Sequence, residues 1–164
     1  MTTKVDLGQP LYVDANIPMY AAGRDHPYRG ACLAILRHIA RGTVEAVTSA
    51  EVHQEILHRY LSLRRPEQAR EVSRSLQTIV PVTLPVTLAD VERARTLSLD
   101  YPQIAARDLI HVAVMLNNGL TQILSVDKHF DAVIEVRRIS PDDLTAWLAP
   151  ESASGGHPGK DVGT

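Results

Sequence analysis

The sequence is poor in cysteine and in aromatic residues, and it contains no long apolar run. Its single cysteine, Cys32, excludes an internal disulfide and a cysteine-based metal cluster, and its helical spacing favours a small buried side chain. No apolar run approaches the ~20 residues of a membrane-spanning helix. The first residues also lack the apolar core of a signal peptide. We therefore expect a cytoplasmic protein that makes no membrane contact.

An excess of charge of either sign is also absent, since the formal net charge is -2 at pH 7. Overall basicity therefore gives no indication of nucleic-acid binding, although a local basic patch stays open. The densest basic group is Arg64, Arg65, Arg70 and Arg74. Such groups are most often solvated helix faces, and we expect the same here.

The length of 164 residues suits one domain with a hydrophobic core. We predict that this domain spans residues 1–149. Residues 150–164 are rich in glycine and serine and have no apolar spacing, which predicts a disordered C-terminal tail.

Short apolar runs alternate with segments of helical spacing along the chain. Strands are predicted at residues 11–13, 45–47, 121–126 and 133–136 together with Ile139. Helices are predicted to open near Asn16, His26, Thr48, Glu67, Thr87, Ile104 and Ser140. This alternation indicates an α/β fold: a mainly parallel central sheet with helices on both faces.

The helix that opens near Ile104 is apolar almost all the way round, so it must be buried on more than one side. Asp108 lies in its first turns, and a carboxylate there is costly unless it is paired or holds a metal. Asn118 and Gly119 end the helix. The next strand is followed directly by Asp127, at the sheet edge where α/β proteins bind ligands.

Two further carboxylates hold comparable places. Asp14 follows the first strand, where it either joins a site or caps the next helix. Glu55 lies one turn inside the helix after the second strand, where a surface pair with Arg59 is the alternative. Thr48 and Glu51 have the spacing of a capping box, which gives Glu51 a structural role.

Helix starts and strand carboxyl ends meet along one edge of a parallel sheet, so these carboxylates are expected to cluster. Clustered carboxylates repel one another and need a cation. Because the proposed ligands Asp14, Glu55, Asp108 and Asp127 are all oxygens, Mg²⁺ or Mn²⁺ is the expected ion. Such a site suits metal-assisted hydrolysis of a phosphodiester.

The segments YVDAN, TSAEVHQEI, RDLIHVAVMLNNG and ILSVDKHFD, in this order and at these separations, resemble the PIN-domain ribonucleases. The similarity is greatest to the VapC-type toxins of toxin–antitoxin pairs, and it covers about residues 11–148. It implies a single PIN-like domain that cleaves RNA endonucleolytically with Mg²⁺ or Mn²⁺. It also implies a small antitoxin that covers the site, and we further expect a homodimer.

The same resemblance places the family's acidic residues on Asp14, Glu55, Asp108 and Asp127. Asn16 and Ser125 stand at positions that often accompany them. Arg107 is expected either to pair with a site carboxylate or to touch phosphate. Asp131 is expected to cap a turn, or else to contact the residues that hold the metal. His111 is expected to be a packed, satisfied histidine, with a hydrogen bond to Asp108 as the alternative.

Two other hypotheses fit parts of the sequence. One is a phosphoryl-transfer protein of doubly wound fold in which Asp14 is phosphorylated, but that chemistry needs a further acidic residue near Asp14 and a late lysine. Asn16 stands where the further acidic residue is needed, and Lys128 is the sole candidate for the late lysine. The other is an RNA- or protein-binding module with a degenerate site, against which the complete acidic set argues. Within the family, the alternative to a toxin is a PIN protein that processes or binds RNA outside a toxin pair.

Overall fold

The computed structural model describes residues 5–149, so the predicted tail at 150–164 lies outside the described residues. The strands are β1 (Leu11–Val13), β2 (Ala46–Ser49), β3 (Thr83–Leu84), β4 (Gln122–Leu124) and β5 (Arg137–Ile139). The helices are α1 (Asn16–Ala22), α2 (Arg29–Ala40), α3 (Ala50–Ser62), α4 (Pro66–Ile79), α5 (Leu88–Asp100), α6 (Ala106–Asn117) and α7 (Pro141–Leu148). A short 3₁₀ helix occupies Lys128–Ala132.

The strands form one parallel sheet in the order β3-β2-β1-β4-β5. The chain moves from β1 outward to β3, then crosses back to β4 on the other side of β1. Helices α1–α4 pack against one another, and α5 packs along α6. This grouping is the one expected when right-handed crossovers place the two sets of helices on opposite faces of the sheet. The predicted α/β architecture is confirmed. The strand order reverses between β1 and β4, which is where such sheets bind ligands.

The central strands and helix α6 form the core. All residues of β1 and β4 are buried, as expected for strands covered on both faces. Helix α6 buries Val112 to Met115 completely, which confirms its predicted burial. Burying each of the two valines and the methionine contributes about 1.5–3 kcal/mol relative to an exposed position. Helix α5 packs along α6 and begins after Thr87, as predicted, with a capping box of Thr87 and Asp90.

Several predicted boundaries were wrong, among them that of β4, which was predicted at residues 121–126 and covers Gln122–Leu124. Helix α2 begins at Arg29 rather than near His26, and β2 extends to Ser49 rather than ending at residue 47. The last strand covers Arg137–Ile139 only. Val133 and Val136 are buried, but they lie in a turn in which the Val136 amide donates to the Val133 carbonyl. Apolar residues three apart therefore reach the core here without a strand.

Among residues 5–149, no helix combines the length and the apolar character needed to cross a membrane.

Candidate active site

Asp14 lies directly after β1 at the reversal point of the sheet, with only 4% of its surface exposed. Its Oδ1 accepts a hydrogen bond from the Ala15 amide at 2.7 Å. Its Oδ2 accepts bonds from Asn16 Nδ2 at 2.7 Å and from Ser125 Oγ at 2.5 Å. Burial is the main cause that raises the pKa of Asp14 above 3.8. Helix α1 begins without a side-chain cap, so Asp14 does not have the capping role that the sequence left open.

Asn16 and Ser125 join the ends of β1 and β4. Asn16 Nδ2 also donates to Ser125 Oγ at 3.0 Å, and Asn16 Oδ1 accepts from the Val126 amide at 3.3 Å. Ser125 Oγ in turn accepts from the Asp127 amide at 3.0 Å. The two residues therefore fix Asp14 and the start of the loop that carries Asp127.

Glu55 projects from α3 with its side chain 16% exposed. Its Oε1 lies 3.6 Å from Arg107 Nε and 3.2 Å from His111 Nε2. Among the described residues Glu55 therefore pairs with Arg107 and His111, both on α6, and not with Arg59. The long-range contacts turn this carboxylate toward α6 and the sheet edge.

The predicted capping box of Thr48 and Glu51 was wrong. Ser49 is the N-cap of α3, and its side chain makes no capping bond. Thr48 belongs to β2, and its hydroxyl donates to the Val13 carbonyl at 3.1 Å. Glu51 instead lies 3.5 Å from Arg107, so it borders the same site as Glu55.

Asp108 lies in the first turn of α6, and Asp127 follows β4. Asp127 Oδ1 accepts from the His129 amide at 2.9 Å, which caps the 3₁₀ helix. Burial, and next the charge of Asp127, raise the pKa of Asp108 from 3.8 to about 6. The charges of Asp14 and Glu55 raise this pKa further, so Asp108 lies within electrostatic reach of all the other predicted site carboxylates.

The side chains fall into two groups, each of two carboxylates and one histidine. Ligand atoms of Asp14, Glu55 and His111 lie within 4.8 Å of one another, and so do those of Asp108, Asp127 and His129. Both groups are dominated by carboxylate oxygens, the donors that Mg²⁺ and Mn²⁺ prefer. Partly buried carboxylates that repel one another lose that repulsion when a cation binds between them.

The other predicted residues have definite places. Arg107 bridges Glu51 and Glu55 while 42% of its side chain stays exposed. Asp131 forms a two-pronged pair with Arg138, at 2.8 and 2.9 Å. Arg138 Nη1 also donates to the Ser125 carbonyl at 3.2 Å. Asp131 is thus linked to the end of β4 through Arg138. Among the described residues its carboxylate bonds Arg138 and does not cap a turn.

Two histidines were not predicted as part of this site. His129 Nδ1 lies 3.1 Å from Asp127 and 3.9 Å from Asp108. His111 is buried with both ring nitrogens hydrogen-bonded, as expected, but its partners are Tyr12 and Glu55 and not Asp108. The available signal was a polar histidine one turn after Asp108 in a helix that is otherwise apolar.

Comparison with known proteins identifies a family and sequence relatives. The PIN domain family model matches residues 11–136. Ribonuclease VapC13 of Mycobacterium tuberculosis is 37% identical over 130 residues, which are 79% of this chain and 99% of the relative. Ribonuclease VapC23 of the same species is 40% identical over 120 residues, which are 71% of this chain and 92% of the relative.

Solved structures show the same fold at low sequence identity. The VapBC2 structure from Rickettsia felis, bound to a promoter DNA fragment, gives a TM-score of 0.65 at 12% identity, covering 80% of this chain and 98% of that one. VapC20 of Mycobacterium tuberculosis, described as a sarcin-ricin loop cleaving toxin, gives 0.62 at 19% identity, covering 77% and 98%. The chain therefore belongs to the PIN-domain family and has the VapC ribonucleases among its relatives.

Proposed function

We propose that this protein is a metal-dependent endoribonuclease that hydrolyses RNA phosphodiester bonds and acts as the toxin of a toxin–antitoxin pair. The observation that carries the proposal is the convergence of Asp14 with Glu55, and of Asp108 with Asp127, at the reversal point of the sheet. The ribonuclease names of the relatives at 37% and 40% identity support the substrate class.

The proposed roles follow from the contacts. Asp14, Glu55, Asp108 and Asp127 would hold Mg²⁺ or Mn²⁺, with Asn16 and Ser125 orienting Asp14. When bound, the metal supplies an activated water and stabilises charge on the attacking and leaving oxygens. The half-exposed guanidinium of Arg107 lies beside these carboxylates, where it can bind an RNA phosphate.

The protein partner is proposed from the structural relatives. Structural relatives include toxin–antitoxin complexes, such as one from Klebsiella pneumoniae with a TM-score of 0.57 at 14% identity. A small antitoxin is therefore the proposed protein partner, and a homodimer remains our prediction for the free protein. The cytoplasm, which contains the proposed RNA substrates, stays the predicted location.

The phosphoryl-transfer hypothesis loses its support. The matching family model is that of a PIN domain, and both Asp14 oxygens accept hydrogen bonds from neighbouring groups. Lys128, its only candidate lysine, is exposed next to Asp127.

The decisive experiment measures cleavage of a structured RNA by the pure protein with Mn²⁺, with Mg²⁺ and with EDTA. We expect cleavage with either metal and none with EDTA. Asp14→Asn, purified identically, controls for contaminating nucleases and should be inactive. Equal cleavage by wild type in EDTA, absent from the Asp14→Asn preparation, would refute the metal-dependent mechanism.

A further inference from the structure

We propose that a buried chain of hydrogen bonds from Ser49 through Tyr12 to His111 positions the Glu55 carboxylate, which makes Tyr12 and His111 positioning residues of the nuclease. The inference rests on the proposed function, because it assigns these residues a role in orienting one of the proposed metal ligands.

The chain connects four different elements of the fold. Tyr12 is the middle residue of β1, Ser49 ends β2, His111 lies on α6 and Glu55 on α3. Tyr12 Oη lies 2.6 Å from Ser49 Oγ and 2.7 Å from His111 Nδ1. His111 Nε2 lies 3.2 Å from Glu55 Oε1. Ser49, Tyr12 and His111 have no exposed surface, so water does not compete for these bonds.

The donors and acceptors can be assigned from chemistry. An ionised carboxylate only accepts, so His111 Nε2 must carry a proton in order to bond Glu55. In the neutral ring Nδ1 then accepts, and its partner is the Tyr12 hydroxyl. The Tyr12 oxygen can in turn accept from Ser49. Every polar atom of the chain is satisfied, and the Tyr12 hydroxyl selects the histidine tautomer that points a proton at Glu55.

Packing fixes the plane of the imidazole. The Tyr12 ring meets it edge-on at a centroid distance of 5.8 Å, and Phe130 does so at 6.5 Å. A ring held in this way cannot turn to follow a moving carboxylate, so Glu55 adopts the orientation that His111 dictates.

The contacts of Glu55 show which oxygen is held. His111 and Arg107 both approach Oε1, at 3.2 and 3.6 Å. Among the described residues, Oε2 makes no hydrogen bond or ion pair and is the oxygen that remains for a cation. Burying a Tyr–His pair costs free energy unless each polar group finds a hydrogen-bond partner, whereas apolar side chains of the same volume need no partners. Positioning of Glu55 explains why the polar groups are present.

The first experiment compares Tyr12→Phe with Tyr60→Phe. Tyr60 is also buried, at 6% exposure, but its hydroxyl has no hydrogen bond among residues 5–149, so it controls for the loss of a tyrosine hydroxyl. Groups that orient a metal ligand typically change metal affinity or activity by about ten- to hundredfold. We expect Tyr12→Phe to lower RNA cleavage by that factor and to raise the Mn²⁺ concentration needed for half-maximal cleavage and for half-maximal thermal stabilisation. Tyr60→Phe should match wild type. Equal behaviour of the two variants would overturn the proposal.

A second comparison uses His111 itself. In His111→Gln, the amide nitrogen lies close to the former Nε2 and can still donate to Glu55, whereas His111→Leu has similar volume and no donor. We expect His111→Gln to retain about tenfold more cleavage than His111→Leu. Equal losses in two folded variants would indicate a packing role only and would refute positioning.

The third measurement needs neither metal nor RNA and stays informative if a variant fails to fold. Long-range ¹H–¹⁵N spectra of the metal-free wild type report which ring nitrogen of His111 carries the proton. We expect a proton on Nε2, and a ring protonated only at Nδ1 would overturn the proposal. Wild-type protein with protonated Nε2 that shows no Mn²⁺ stabilisation would contradict the proposed metal function and leave the hydrogen-bonded chain intact.

Discussion

Asp108→Asn is the substitution that best separates an acidic cluster from a merely capped helix. The amide has the shape of the carboxylate and removes one of the charges that repel each other at this edge of the sheet. Burial and the neighbouring carboxylates raise the pKa of Asp108 from 3.8 to about 6, so the folded protein holds this proton more tightly than the unfolded chain does. Through this group the wild type therefore loses stability as the pH rises from about 4 to about 6, and the variant lacks this contribution.

The magnitude follows from that difference in pKa. A rise from 3.8 to about 6 corresponds to at most about 3 kcal/mol. The side chain is 17% exposed, so solvent screening reduces the expected gain to about 1–2 kcal/mol. For a domain of this size each kcal/mol moves the melting temperature by about 2–4 °C. We thus expect metal-free Asp108→Asn to melt about 2–8 °C above wild type at pH 7.5, and no higher at pH 4.

Metal should reverse this order. A ligand at about 100 times its dissociation constant stabilises the folded state by about 2.7 kcal/mol, and this gain should shrink in the variant. RNA cleavage should fall by orders of magnitude. The assay is a set of melting curves at pH 4 and 7.5, with and without Mn²⁺, beside a cleavage assay. Asp100→Asn, at an exposed position at the end of α5, is the control. The reasoning would be refuted if metal-free Asp108→Asn melted below wild type at pH 7.5, or if it kept cleavage and the full Mn²⁺ shift.

Three further predictions follow from the contacts of the site. Glu55→Gln should abolish cleavage, whereas Glu51→Gln removes only a 3.5 Å pair with Arg107 and should lower cleavage by about tenfold or less. The opposite order in a cleavage assay would contradict the assignment of Glu55 as the ligand. Asn16→Ala removes the 2.7 Å hydrogen bond to Asp14. The Mn²⁺ concentration for half-maximal cleavage should therefore rise by about tenfold or more, as a metal titration would show. Truncation after Pro150 should leave the melting temperature and cleavage unchanged, because the removed residues offer no core side chains; a lower melting temperature would show that they pack on the domain.

Much of the site could be predicted because its parts are local in the sequence. Asp14 directly follows β1, Asp127 lies three residues after the end of β4, and Asp108 lies in the first turn of α6. Positions of this kind meet near one edge of a parallel sheet. The conflict between an apolar helix and a carboxylate in its first turn is visible in the sequence alone. These features determined the fold class and the predicted acidic set.

The structure decided which groups touch. The partners of Tyr12 are 37 and 99 residues away, and nothing local distinguishes this tyrosine from the apolar residues beside it in β1. The spacing of Thr48 and Glu51 allowed a capping box. In the structure, however, the Thr48 hydroxyl donates to the backbone of β1 and Glu51 pairs with Arg107. Local patterns determine which elements form, whereas the partner of a buried polar group depends on which elements pack together.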